Sequence, residues 1–464
     1  MYILKTSEYI EESVNIKPIT KKRMVELGEE DEMSKEVMDF IKRHNLKWNR
    51  VTRRYDCEYS VELEYQSDFH ILNQNGDGFS IRFGVIVGNF DCGHFGLRSL
   101  KGSPTKVEGD FNCSNNELKS LEHAPSYVGG DFICNRNDIA SLEHSPMYVG
   151  GTFDCADNIL TTLQGAPNEV GGTFTCSRNK IQSLEGSPAK VGNGFYCRYN
   201  LLSSLQHAPK EIGGNFDCSH NEIKYLDGAP RKVHDMDCSS NNLKNLKGAP
   251  SIVDGSFRCS GNDIKSLEGI PKRIFGNFYC DKNRLKTLEG APEFVQGLFR
   301  CTENPLEYLD GAPEFIGSDF DCSVKKLKSF RGMPKEIKGQ TNFDKKEVKV
   351  AMKRLIDELY DASKPFTTHL YKDTDWHNVR EHVDALRKVG LVSDVACSAG
   401  RYRDYLNNGD PLGKPASREY ALTIESPIGV VNGLLTCHSA GSVDDVWSAY
   451  DMTCTFWNNK GDSE

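Results

Sequence analysis

The sequence predicts an α/β repeat protein. It should be a curved solenoid with a parallel sheet on its concave face and turn-like or extended chain on its convex face, flanked by small α+β modules. Three observations carry this prediction. A 21-residue unit recurs from about residue 68 to residue 343. Inside the unit phenylalanine and cysteine alternate as F-x-C, the two-residue period of a strand. Outside it the repeat stops, and ordinary helix and strand patterns take over.

The unit reads V-x-G-x-F-x-C-x-x-N-x-L-x-x-L-x-x-x-P, as in residues 107–125. Its cysteines run from Cys92 to Cys322 at steps of 21 residues, except between Cys218 and Cys238, where one residue is missing before Met236. On the strand Phe111 and Cys113 share one face, while Asp110, Asn112 and Ser114 point the other way. A strand this short cannot bury its apolar face alone. Stacked on copies of itself it can, which explains why the pattern persists through a dozen units. The asparagine three residues after the cysteine in ten of the twelve units, Asn116 and its equivalents to Asn304, carries a carbonyl and an amide that can satisfy backbone groups opened where the chain leaves the strand. Apolar residues at the Leu118 and Leu121 sites should point inward. A proline closes each unit from Pro104 to Pro334; it fixes φ and removes an amide donor, which argues against a long convex helix.

The run F-x-C-S-x-N-x-L-x-S-L-x-G-A-P resembles the short, proline-bearing bacterial class of leucine-rich repeat. That resemblance covers most of the chain and implies a leucine-rich-repeat solenoid. The cysteine-bearing variant is also similar to repeats in uncharacterised proteins of large tailed bacteriophages. The secreted leucine-rich-repeat ubiquitin ligases of enteric pathogens share the repeat, but they carry a much larger helical catalytic domain than this chain can hold.

About 12 full repeats with degenerate end caps fill residues 67–344. Phe69-His70-Ile71 stands 21 residues before Phe90-Asp91-Cys92, and Phe79 stands 21 before Leu100. Gly76 and Phe83 take the slots of Leu97 and Pro104, so Asp68–Phe83 reads as the N-terminal cap. At the other end Phe343 takes the cysteine slot and Thr341 the phenylalanine slot. Residues 1–66 read as an N-terminal α+β module, with strands at Tyr2–Leu4 and Val14–Ile16, a helix over Met33–Leu46 and strand alternation from Arg53 to Tyr65. Residues 345–464 read as a C-terminal α+β domain. Its helices fall over Lys346–Ser363 and Asp373–Val389, and its strands over Tyr420–Ile424, Val430–Cys437 and Met452–Trp457. Neither junction is rich in glycine, serine or proline, so both modules are expected to pack on the array ends.

The chain has 464 residues, a formal net charge of −9 and 16 cysteines. An acidic balance disfavours general nucleic-acid binding, which requires clustered Lys and Arg. Twelve of the cysteines share one inward slot, where they serve as small apolar residues; they are expected to be reduced thiols in a cytoplasmic compartment. The first residues lack a basic stretch followed by an apolar core, and no uninterrupted apolar run approaches the ~20 residues of a membrane-spanning helix. A soluble protein is expected.

Binding residues are sought in the outward columns, which are mostly Asp, Asn, Ser and Thr. Two groups differ. Tyr196, Arg198 and Tyr199 sit in one unit, flanked by Arg178 and His220 in the adjacent ones. Arg258, Tyr279, Lys282 and Arg300 form the second group, and Asp217 and Asp237 lie between the two. Large amphipathic side chains of this kind dominate protein interface energetics. Cys437 and His438 are adjacent on a strand and point to opposite faces, so they do not form a nucleophile and base pair. His377, Glu381 and His382 share a helix pattern without metal-ligand spacing. There is no C-x-x-C, H-E-x-x-H or phosphate-binding glycine loop, and no cofactor or metal is expected. The reading is a non-enzymatic protein-interaction protein; if the phage resemblance holds, it acts in the host cytoplasm on a host factor or defence pathway. The alternative is an enzyme or effector whose C-terminal domain, with His377, Glu381, Cys437, His438 and Asp444 as its candidates, acts on a target recruited by the repeats.

Overall fold

The computed structural model describes residues 33–64, 67–73, 76–324, 327 and 332–343, together with strands Asp394–Ser398, Arg418–Ser426 and Gly429–Cys437. The repeat array is a parallel-sheet solenoid, and each turn contributes two short strands rather than one. In the turn that begins at Tyr127 these are Tyr127–Val128 and Phe132–Ile133, joined by Gly129, Gly130 and Asp131. The second strands of all turns form a continuous 14-stranded sheet from Val61–Glu62 to Thr341–Phe343, the phenylalanine ladder. The first strands form a valine ladder along the side expected to be only turn-like or extended. The extended chain there is itself hydrogen-bonded from turn to turn.

Both ladders run in 21-residue register, so like residues stack on like. Phe111 pairs with Phe132 and Phe132 with Phe153. Their rings follow each other at 5.5 Å and 5.1 Å between centroids. Inside the turn lie the valine, the phenylalanine, the cysteine and both leucine-type residues, as Val128, Phe132, Cys134, Ile139 and Leu142 show; all are buried. Each large apolar side chain is worth roughly 1.5–3 kcal/mol when fully buried. None of that burial exists for one turn alone, which is why the array is cooperative along its length.

The asparagines act as the sequence suggests, and across two turns rather than one. Asn137 donates its amide to the carbonyl oxygens of Cys134 in its own turn (3.1 Å) and Cys113 in the preceding one (3.0 Å). Its side-chain oxygen accepts the Leu118 N–H at 3.0 Å. The same set recurs to Asn304. The valine-side corner is crowded: a Cβ on Gly150 would stand 2.1 Å from the Gly129 carbonyl oxygen, so glycine there permits close approach of successive turns.

The missing residue before Met236 is absorbed by one ladder only. Met236 stays in register with Phe216, and the phenylalanine ladder runs through. The valine ladder stops at Glu211–Ile212 and resumes as a two-stranded sheet, Lys232–Val233 with Ile252–Val253. A four-stranded sheet from Arg273–Ile274 to Glu336–Ile337 completes it.

The N-terminal end differs from the sequence reading. Helix α1, Lys35–Arg43, is shorter than Met33–Leu46; Ser34 caps it by accepting the Val37 N–H, and Val37 and Phe40 are its buried residues. Strands β1 (Lys47–Asn49) and β2 (Arg54–Cys57) pair antiparallel, and β2 then pairs parallel with Phe83–Ile86. Strand β3, Val61–Glu62, pairs with Phe90–Asp91. Residues 54–62, assigned by sequence to a module ending at residue 66, therefore carry the first strands of both ladders. Phe69-His70-Ile71, which the spacing aligns with Phe90-Asp91-Cys92, is a 3-10 turn, and the strand beside Phe90 is instead supplied by Val61–Glu62. The second half of that cap follows the expected register: Phe79 is buried and its N–H bonds to the Lys101 carbonyl, beside Leu100. The buried Asp68 carboxylate ties the end together by accepting from Arg43 at 2.5 Å and from the Glu64 N–H at 2.9 Å.

At the C-terminal side, Thr341–Phe343 pairs with Phe320–Cys322, and Phe343 lies opposite Cys322 as expected. Three antiparallel strands follow, with Arg418–Ser426 in the centre, Gly429–Cys437 on one side and Asp394–Ser398 on the other. The expected strands at 420–424 and 430–437 fall within them. The expected strands at 2–4, 14–16 and 452–457 and the expected helices at 346–363 and 373–389 lie outside the described residues.

A candidate protein-interaction surface

Neighbouring turns sit one strand spacing apart, ~4.8 Å, so side chains in the outward columns shield one another. Serines in the slot after the cysteine, such as Ser114, Ser177 and Ser219, are buried although they point away from the core. Only large side chains reach past this layer, and the predicted residues are among them.

The register brings Tyr196 of the first predicted group into one column with Arg258, Tyr279 and Arg300 of the second. Tyr196, Asp217, Asp237, Arg258, Tyr279, Arg300 and Asp321 stand opposite one another on seven successive strands of the phenylalanine ladder. From Tyr196 to Arg300 that is five steps, roughly 24 Å at ~4.8 Å each. The Arg258 guanidinium lies 5.1 Å from the centroid of the Tyr279 ring, a cation–π contact. The Tyr279 hydroxyl accepts from the Asn277 amide at 3.1 Å. Arg300 Nε stands 3.4 Å from Asp281 Oδ1, and Arg198 stands 3.8 Å from the Asp217 carboxylate. Lys282 stands 3.5 Å from Glu303 in an exposed pair. Burial pushes the Asp237 carboxyl above its ordinary value, partly offset by hydrogen bonds from Ser239.

Tyr196 and Tyr199 share a turn but take different neighbours. The Tyr196 ring lies back over Gly194, where a Cβ would come within 2.5 Å of it. Tyr199 belongs to a second column, two residues after the cysteine, where the backbone is left-handed. Arg178, Tyr199 and His220 have φ values of 57°, 55° and 55°. Their N–H groups bond to the next turn at Arg198, Ser219 and Ser239. The three side chains form one stack: the Arg178 guanidinium lies 4.7 Å from the Tyr199 ring centroid, and the Tyr199 and His220 rings are 4.1 Å apart and 7° from parallel.

Sequence reasoning missed the outward column of the valine ladder, which reads Lys106, Tyr127, Tyr148, Glu169, Lys190, Glu211, Lys232, Ile252, Arg273, Phe294, Phe315 and Glu336. Aromatic stacks stand at both ends, Tyr127 on Tyr148 at 4.9 Å and Phe294 on Phe315 at 4.8 Å, with charges of alternating sign from Glu169 to Lys232 and then Ile252 and Arg273 between them. The signal was present in the repeat, because a residue preceding an inward valine must face out.

Among the alternative catalytic candidates, His377, Glu381, His438 and Asp444 lie outside the described residues, and Cys437 ends the strand Gly429–Cys437. Among the described residues no group of His, Cys, Asp or Glu could hold a metal ion, and no helix is long and apolar enough to cross a membrane.

No family model matches the chain. No curated protein matches it either. Among solved structures it is similar to YopM from Yersinia enterocolitica WA-314, with 18% identity, a TM-score of 0.28, and coverage of 56% of this chain and 73% of that one. It is also similar to the leucine-rich repeat domain of APL1B, with 15% identity, a TM-score of 0.30, and coverage of 55% of this chain and 83% of that one. The assignment of this array as a leucine-rich-repeat solenoid rests on its strand, phenylalanine and asparagine ladders rather than on these likenesses.

Proposed function

We propose that this chain is a protein-interaction scaffold that binds a protein partner on the phenylalanine-ladder face between Arg178 and Arg300. The observation that carries the reading is the single column in which Tyr196, Arg258, Tyr279 and Arg300 stand in register, with the Arg178–Tyr199–His220 stack beside it. Tyr and Arg offer large contact area at modest entropic cost, and a rigid ladder holds them in place before binding. Asp217 and Asp237 interrupt the column, so a matching partner presents acidic groups at both ends and a basic group between them.

The resemblance of the cysteine-bearing repeat to phage proteins supports a finer reading, in which the chain is a phage protein acting in the host cytoplasm on a host factor or defence pathway. Twelve stacked core thiols suit a reducing compartment. The test is affinity capture from the native host cell with the full chain, in parallel with the Tyr199→Ala/Arg258→Ala variant. A host protein retained by the parent and lost by the variant supports the reading; a captured set that is the same for both overturns it.

A further inference from the structure

The valine ladder carries a second surface. Phe275 is half exposed (50%) in the slot that follows the inward residue of the valine ladder, with Asp254 and Gln296 in that slot on the adjacent turns. Beside it, Phe294 and Phe315 stack with planes 7° apart, and Ile252 on the preceding turn is 42% exposed. The Arg273 guanidinium lies 4.4 Å from the Phe294 centroid and 5.7 Å from that of Phe275. Its N–H groups have no carboxylate or hydrogen-bond partner among the described residues. The nearby cation Lys272 is by contrast paired with Glu293 at 2.6 Å, and Lys232 with Asp254 at 2.8 Å.

A guanidinium packed against aromatic rings keeps its edge donors free, and those donors match a carboxylate in a two-point hydrogen bond. Apolar surface on four consecutive turns surrounds this one uncompensated charge. We propose that the patch of Ile252, Arg273, Phe275, Phe294 and Phe315 binds a short segment of another protein that presents one Asp or Glu beside large apolar side chains. A nucleic acid fits worse. Asp254, Glu293 and Glu314 lie on the same turns and Glu336 on the next, and a run of phosphates would meet them as well as Arg273.

The test uses a displayed library of random 12-residue peptides panned against the full chain, followed by titration of a fluorescent copy of the selected peptide. Selection should yield an acidic residue next to aromatic or aliphatic ones. Binding should fall at least about tenfold in Arg273→Gln and in Phe275→Ser, each with an unchanged melting temperature, and should stay the same in Arg198→Ala. No enrichment over an unrelated control protein would overturn the proposal. Selection of basic peptides, or binding indifferent to both substitutions, would do the same. So would tighter, Arg273-dependent binding of a single-stranded oligonucleotide, which would make the surface a nucleic-acid site. Because Arg198 lies on the other ladder, failure here leaves the phenylalanine-ladder reading intact, and the reverse also holds.

Discussion

The Tyr199 ring lies face to face on the His220 imidazole, with centroids 4.1 Å apart and planes 7° from parallel, although 21 residues separate the two in the chain. The left-handed backbone two residues after each cysteine turns both side chains out of the strand columns and onto each other. Tyr199 is 42% exposed, so its outer edge is open to a partner while its faces are held.

For the proposed partner, Tyr199→Ala should therefore cost a few kcal/mol of affinity, as hot-spot tyrosines do. Ser260→Ala, in the slot after the cysteine on the same ladder, should cost almost nothing. Both variants should melt with the parent, because neither side chain belongs to the core. Calorimetric titration against the captured partner distinguishes them. Equal affinities would remove Tyr199 from the interface and leave Arg258, Tyr279 and Arg300 as the contact.

Core asparagines should be costly to remove for a specific reason. In Asn137→Ala the Cys113 carbonyl keeps its bond from Asn116 and the Cys134 carbonyl keeps that from Asn158. The Leu118 N–H loses its acceptor, and a buried donor left unsatisfied costs about 1–3 kcal/mol. Urea unfolding should show that loss. Glu143→Ala, at an exposed position of the same turn, should unfold with the parent.

The break in the valine ladder makes a prediction about chain length. A glycine inserted between Val233 and His234 restores the 21-residue step and lets Lys232–Val233 pair with Glu211–Ile212, so the melting temperature should hold or rise. The same insertion between Val170 and Gly171 disrupts a continuous ladder. It should lower the melting temperature by several degrees, the effect of a few kcal/mol in a domain of this size. Equal effects at the two sites would show that the deletion is not the cause of the break.

The cysteine ladder should make the protein sensitive to alkali. Burial raises the thiols of Cys92, Cys134, Cys155 and Cys197 well above their ordinary range, and those of Cys113 and Cys176 in the same direction. A group whose folded value is raised binds its proton more tightly in the native state. Its contribution is present below the unfolded value, near 8.5, and is lost as pH climbs toward the folded one. Each thiol gives a slope of up to about 1.4 kcal/mol per pH unit in that window. Denaturant midpoints should thus fall steeply above pH 9 and hardly move between pH 6 and 8. At pH 8 a thiol reagent should label the repeat cysteines slowly in the native protein and quickly in urea; fast native labelling would contradict a buried, reduced ladder.

The sequence by itself determined the turn length, the inward residues and the role of the asparagines. Those follow from strict recurrence, since a residue type that returns every 21 positions must meet its own copy. It also placed Phe79 and Phe343 correctly at the eroded ends, because both keep the spacing. What only the tertiary structure decided is where pairing occurs between turns. Two-residue strands have no periodicity of their own, so Lys106–Val107 and its copies look like turn until the neighbouring turn supplies their hydrogen-bond partners. The same reason explains β2 and β3, which pair with Phe83–Ile86 and Phe90–Asp91 without sharing the repeat, and the 3-10 turn at Phe69, where Val61 competes for the slot. It explains the candidate surfaces as well. Tyr196 and Tyr199 are close in sequence, but the left-handed position between strand and asparagine sends Tyr199 to His220. Arg273, Phe275, Phe294 and Phe315 become one patch only because the valine ladder exists.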